Sequence, residues 1–240
     1  AASSFTTYEN ILEAVASTTN IDMVATSSII LNNSLTFAQT SGQSVTFTAT
    51  NGNISFTDSS DTIETSGGSI VMSAGGTLSV GAMDTNGGDI TLTGTDFTLS
   101  GALNARGGTL TILGGSGETI GLDGTTANTT TSTVSTICNG SACGLTLIQS
   151  ELSNITAAKL VIGDSSSGNM YIDGVTLSHI SGGTTLNSSG SNGSVEFGTS
   201  ASTLKLLTVN AGNGITINGD QTITSSAIFN ADSDVSGTGT

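Results

Sequence analysis

The chain has 240 residues, of which Ser and Thr supply 79 and Gly 33, with no proline or tryptophan, so whatever core it builds is thin. Eighteen acidic residues stand against Arg106, Lys159 and Lys205, a formal net charge of −15. That balance excludes nucleic-acid binding, which needs clustered cations against phosphate, and the lack of an apolar run near 18 residues argues against membrane insertion.

Residues 1–20 hold the one helix candidate. Thr6-Thr7-Tyr8-Glu9 has the form of a capping box ahead of Ile11, Leu12, Ala14 and Val15. The expectation is an N-terminal cap or an irregular first turn, since stacked repeats need their ends covered. The chain starts at Ala1 with neither a basic start nor an apolar h-region, which reads as a mature or excised piece of something longer.

From residue 21 the pattern alternates with period two and predicts a single domain over 21–240. Val45-Phe47-Ala49, Ile54-Phe56, Ile70-Met72-Ala74, Leu78-Val80, Ile90-Leu92, Phe97-Leu99 and Leu110-Ile112 alternate with Ser or Thr, apart from Val71. Asn-Gly and Gly-Gly pairs stand between them and supply corners. Asn-Gly also signals hairpins, so an antiparallel sandwich is the rival fold. A fixed repeat decides against it. Gly68-Ile70-Met72, Gly88-Ile90-Leu92 and Gly108-Leu110-Ile112 recur every 20 residues, each behind a second glycine. The same figure returns at Gly52, Gly168 and Gly193, and the step of 60 from Gly108 to Gly168 reads as three further periods.

The fold expected is therefore all-β, a parallel β-helix (β-solenoid) with turns of about 20 residues. Ile70, Ile90 and Leu110 form one internal column, Met72, Leu92 and Ile112 the next, and Ser69, Asp89 and Thr109 stack outside. At one strand spacing per turn the rod is about 50 Å long. The rhythm breaks at 114–144, read as an insertion of a turn or two. Within it Cys138-Asn-Gly-Ser-Ala-Cys143 lacks metal-site or redox-motif spacing, and predicts a short disulfide and an oxidising compartment.

Gly87-Gly88-Asp-Ile-Thr-Leu-Thr-Gly, Phe97-Thr-Leu-Ser-Gly-Ala-Leu and Gly107-Gly108-Thr-Leu-Thr-Ile together resemble the repeat region of filamentous-haemagglutinin-type proteins. The resemblance extends over residues 30–240. It implies a right-handed parallel β-helix from a large secreted adhesin. The Asn-Pro-Asn-Leu motif of that family's secretion domain is missing, since the chain has no proline.

Candidate chemistry is sparse. Asp232, Asp234 and Ser236, followed by Gly237, match the opening of a calcium loop, but position 12 falls beyond Thr240. Calcium is thus the one cofactor candidate, against an acidic turn as the plain alternative. Asn32, Asn53, Asn128, Asn139, Asn154, Asn187 and Asn192 begin glycosylation sequons, a number that chance supplies in a chain so rich in Ser and Thr. Asp89, Asp96, Asp164 and Asp173 are dispersed singly, and His179 has no obvious partner, so catalytic residues are not expected. The reading is a structural, non-enzymatic, extracellular or cell-surface solenoid forming a stiff segment of an adhesin or fibre. Its partners are copies of itself or adjoining repeats end to end, and host surfaces or glycans. The alternatives are the subunit of a self-assembling filament and a polysaccharide-processing β-helix enzyme.

Overall fold

The computed structural model describes residues 7–123, 138 and 143–237. Over that length the chain winds as a parallel β-solenoid of about 8 turns, roughly 24 residues per turn, with almost no helix. The short helix α1 (Glu9–Glu13) comes first, with Tyr8 at its N-cap making no side-chain cap hydrogen bond; Thr6, which opens the expected capping box, lies outside the described residues. Tertiary partners take its carboxylates instead. Asn33 Nδ2 donates to Glu9 Oε2 at 3.1 Å, and the Thr36 N–H donates to Glu13 Oε1 at 2.5 Å.

The first turn is β1 (Ile21–Ala25), β2 (Ile29–Leu31) and β3 (Leu35–Thr36), and the second β4 (Ser44–Ala49), β5 (Ile54–Phe56) and β6 (Thr62–Glu64). The third is β7 (Ser69–Ala74), β8 (Thr77–Val80) and β9 (Ala82–Asp84), and the fourth β10 (Ile90–Thr93), β11 (Asp96–Leu99) and β12 (Leu103–Asn104). Then come β13 (Thr109–Leu113), β14 (Ile120–Asp123), β15 (Leu145–Ile148), the short helix α2 (Gln149–Leu152) and β16 (Ile155–Thr156). The last turns are β17 (Lys159–Ile162), β18 (Met170–Asp173), β19 (Thr176–Leu177), β20 (Thr184–Ser188), β21 (Val195–Phe197), β22 (Thr203–Ala211), β23 (Ile215–Ile217) and β24 (Thr222–Asn230).

These strands build three walls. Face 1 is an uninterrupted parallel ladder through β1, β4, β7, β10, β13, β17, β20, β22 and β24. Its spacing gives a rod of about 40 Å, shorter than the sequence suggested because most turns are longer than 20 residues. The aligned inward residues are Ile21, Val45, Ile70, Ile90, Leu110, Leu160, Thr184, Leu207 and Ala227. The 20-residue step thus holds from Ile70 to Leu110 and again at the end. Elsewhere the corners take up three to five residues more, and Leu110 to Leu160 is one step of 50.

Alternation does the packing. β4, β7 and β13 bury every second residue, and the columns Ile70–Ile90–Leu110 and Met72–Leu92–Ile112 are in the register expected. Each fully buried aliphatic side chain contributes about 1.5–3 kcal/mol, and stacking sums that term turn by turn. The glycine pairs have two distinct roles. Gly67 and Gly87 sit at φ +106° and +109° to turn the corner, whereas a Cβ on Gly88 or Gly108 would meet the carbonyl of Gly68 or Gly88 one turn below.

One expectation is corrected. Gly52, Gly168 and Gly193 do not continue the Gly68–Gly88–Gly108 series: they precede β5, β18 and β21, which lie on a different wall, face 2. The same five-residue figure marks two corners because both need a turn followed by an inward–outward–inward strand.

The 50-residue step hides the main irregularity. Face 2 consists of a four-stranded block, β2-β5-β8-β11, and a five-stranded block, β15-β14-β18-β21-β23. β15 packs against β11, so the strand later in sequence lies below β14, with which it pairs in parallel. From β13 the chain therefore skips a level, lays down β14, returns to fill the gap with β15, and then proceeds. The segment at 114–144 contributes β14 to the wall and leads into β15, beyond the insertion expected from sequence. Face 3 holds β3-β6-β9-β12-β16, then β19 against the start of β22.

Candidate functional site

The outward positions of a solenoid are its only large surface, so the site is built from them. On face 1 the outer row runs Thr46, Val71, Thr91, Thr111, Val161, Thr185 and Thr208. It is a mixed Thr/Val stripe, stiff because the backbone beneath is fully laddered.

Face 2 of the C-terminal half is more particular. Tyr171, Glu196 and Thr216 stack as one outward column, and Asp173, Gly198 and Asn218 lie alongside. A Cβ on Gly198 would run into the Asp173 side chain. The missing side chain leaves a notch of about 220 Å³ walled by Tyr171, Asp173, Glu196, Thr199 and Asn218. Asn218 Nδ2 donates to Glu196 Oε1 at 2.7 Å, and Asp173 accepts from the Ser200 N–H at 2.7 Å and its hydroxyl at 2.9 Å. Around the corner, turns at 116–119, 165–169 and 190–193 line a groove of about 510 Å³ with Ser, Thr, Asn and Gly. Such surfaces offer shallow hydrogen bonding to a hydroxyl-rich ligand.

The carboxylates considered for catalysis serve the backbone. Asp89 Oδ1 accepts the Thr109 N–H at 2.7 Å, one turn away. Asp164 Oδ1 gathers Ser166 (N–H and Oγ, both 2.7 Å) and Ser167; partial burial pulls its pKa upward, but these hydrogen bonds prevail and hold it below the ordinary value. Asp84 is held low first by its hydrogen bonds to Arg106, whose Nε and Nη2 reach its two oxygens at 3.0 and 2.6 Å. His179 is exposed.

Asp232 Oδ1 accepts the N–H groups of Ser236 at 3.0 Å and Gly237 at 3.2 Å, while Asp234 Oδ1 accepts the Ser236 N–H at 3.2 Å. The would-be calcium ligands thus close a turn on themselves. The Ser236 side chain and backbone keep the Asp234 carboxyl below its usual range.

Cys138 and Cys143 form a disulfide with Cα atoms 5.2 Å apart. Among the sequons, Asn32, Asn53 and Asn192 are exposed. Asn154 and Asn187 use their amides inside the wall: Asn154 Nδ2 donates to the Leu99 carbonyl at 2.8 Å, and Asn187 Oδ1 accepts from Asn210 Nδ2 at 2.7 Å. Asn128 and Asn139 lie outside the described residues.

Sequence reasoning missed Glu151. It is 8% exposed and accepts the Leu99 N–H on Oε1 and the Ile148 N–H on Oε2, each at 3.1 Å. Burial first, and then the neighbouring charge of Asp96, pushes its pKa up. Asp96 has an exposed residue surface, but its carboxyl tip is drawn against the strand edges, and that burial likewise raises its pKa. The sequence held one clue, an acidic residue three positions after Ile148 where a helix begins. Comparison with protein-family models, curated proteins and solved structures returned no match.

Proposed function

We propose that this chain is a stiff, non-enzymatic segment of an extracellular or cell-surface adhesin or fibre, of the filamentous-haemagglutinin style its repeats resemble. The observation that carries the reading is the uninterrupted ladder of face 1, with aliphatic columns inside and Thr, Ser and Asn outside. Its mechanism is mechanical: each turn donates backbone hydrogen bonds to the next, and the side walls present polar surface to a host surface or glycan. The Cys138–Cys143 disulfide supports an oxidising location.

A second reading, a filament subunit, is favoured by the edge of β24 that is unpaired among the described residues, where Ile228 is 60% and Phe229 45% exposed. Electron microscopy of the native material combined with its intact mass separates the two. A polypeptide much longer than 23.6 kDa within each rod supports the segment reading; rods assembled from subunits of that mass support the filament. Turnover of a polysaccharide that is lost in Asp89→Asn or Asp173→Asn would overturn both and make the chain an enzyme.

A further inference from the structure

The described solenoid begins and ends part-way round a turn, and on different faces. Ahead of β1, α1 lies beneath β3: the Thr36 N–H donates to Glu13 Oε1 at 2.5 Å, so a carboxylate stands where the carbonyl of a lower strand would be. Residues 14–20 then climb the corner to β1. Gln39 Nε2 holds them by the Ala16 and Thr19 carbonyls, and the Thr40 N–H by the Ser17 carbonyl. The start therefore supplies face 3 of a level below the first turn and leaves face 1 of that level open. Among the described residues β1 pairs only with β4.

The other end is the converse. β24 starts on face 3, where Ile223 aligns with Leu204, and rounds the corner to face 1, where Ala227 and Phe229 align with Leu207 and Val209. It thus adds a face-1 strand to a level whose face 3 is open among the described residues. The turn that follows rests on the corner below, with the Ser233 N–H donating to the Ala211 carbonyl at 2.9 Å. Laid together, the two ends share one level, in which β24 fills face 1 and α1 fills face 3.

The side chains suit that joint. At the far end Phe229 is 45% and Ile217 51% exposed, although their columns place them inward above Val209 and Phe197. At the start Met23 and Ile29, in columns with Phe47 and Ile54, are only half-buried. The α1 helix has apolar surface to spare, since Leu12 packs on its own first turn while Ile11 is 59% exposed. Continuing the columns sets Ala227 below Ile21 and Phe229 below Met23.

We propose that a second copy of this chain occupies both ends, docked head to tail. β24 of one copy extends the face-1 ladder beneath β1 of the next, and α1 of that next copy closes face 3 of the shared level. Each added copy presents the same free ends, so the joint propagates as an open rod. A tail-to-tail pair would set β24 against β24 and leave nothing for face 3 of the joint. Acids stand near both ends, Glu9 and Asp22 on one side and Asp220, Asp232 and Asp234 on the other; their repulsion makes the joint form in high salt, which screens it. The inference rests on the filament-subunit reading and adds its direction and register.

Two surface cysteines test it. Val24 is 73% exposed on β1 and Asn230 is exposed on β24. Within one chain they lie nearly the length of the rod apart, but the proposed register places them on adjacent strands about 5 Å apart, within reach of a disulfide. The native cysteines are already paired. Val24→Cys and Asn230→Cys chains are mixed in high salt under a mild oxidant. The expected result is crosslinked dimer from the mixture and none from either variant alone. Crosslinking of Asn230→Cys with itself, or no crosslink in the mixture, would overturn the head-to-tail joint. Sedimentation of the parent chain in the same buffer then separates two failures. A parent that associates leaves the filament reading standing without this joint, and a parent that stays monomeric removes both.

Discussion

Gly88 has no side chain because the Gly68 carbonyl occupies the space where one would lie. Gly88→Ala therefore forces two backbone levels apart, and overpacking of this kind costs about 1–3 kcal/mol. The expected outcome is a lower denaturant midpoint with an unchanged slope, read by circular dichroism; a midpoint within error of the parent would refute the stacking account. Arg106→Ala is the contrasting case. It removes a bidentate ion pair with Asp84, but the arginine side chain is 54% exposed and such pairs are screened by water and salt. It should move the midpoint less than Gly88→Ala does, and any difference should shrink in high salt.

At the scale of the element, the seam around α2 sets how stability depends on pH. Glu151 and Asp96 have folded-state pKa values raised above their ordinary ones. Between the unfolded value, about 4, and the raised folded value, the native state holds more protons than the unfolded one. Stability then falls as pH rises through that window. Asp84 and Asp164 are lowered, so their contribution is present above about pH 4 and is lost as pH falls below it. Together these signs predict a maximum melting temperature in mild acid, with decline on both sides, and Glu151→Ala should flatten the decline toward neutrality. Melting curves from pH 3 to 8 check this; a temperature that climbs steadily to pH 8 contradicts it. The sequence could not show this seam. Alternation and glycine spacing reveal columns such as Ile70–Ile90–Leu110, because those depend on residues at fixed local offsets. The break in rhythm at 114–144 marks the place but not the swap in level between β14 and β15, and only their stacking order puts Glu151 beside Asp96. The face-2 notch was hidden for a related reason, since Tyr171, Glu196 and Asn218 come from three strands whose register the irregular corners conceal.

For the whole molecule, the two described ends differ, and the difference bears on assembly. At the start, Leu12 and Val15 pack against the core, and Gln39 Nε2 ties Ala16 and Thr19 to the first turn through their carbonyls at 3.1 and 3.0 Å. At the other end, among the described residues, β24 pairs only with β22. Phe229 meets Phe197 edge to face at 6.4 Å, yet it stays 45% exposed, and Ile217 and Ile228 are exposed as well. An edge that combines unpaired backbone groups with apolar side chains is a template for another strand. The chain of 240 residues should thus associate with rising concentration despite its charge of −15, and more strongly as salt screens that charge. Ile228→Lys sets a cation on the outward side of the edge, beside Thr208 and at a position that is 60% exposed, and should shift the equilibrium toward monomer without lowering the melting temperature. Sedimentation velocity over a concentration series measures both chains. If Ile228→Lys associates as the parent does, the contact lies elsewhere, and the filament reading loses the one surface that favours it.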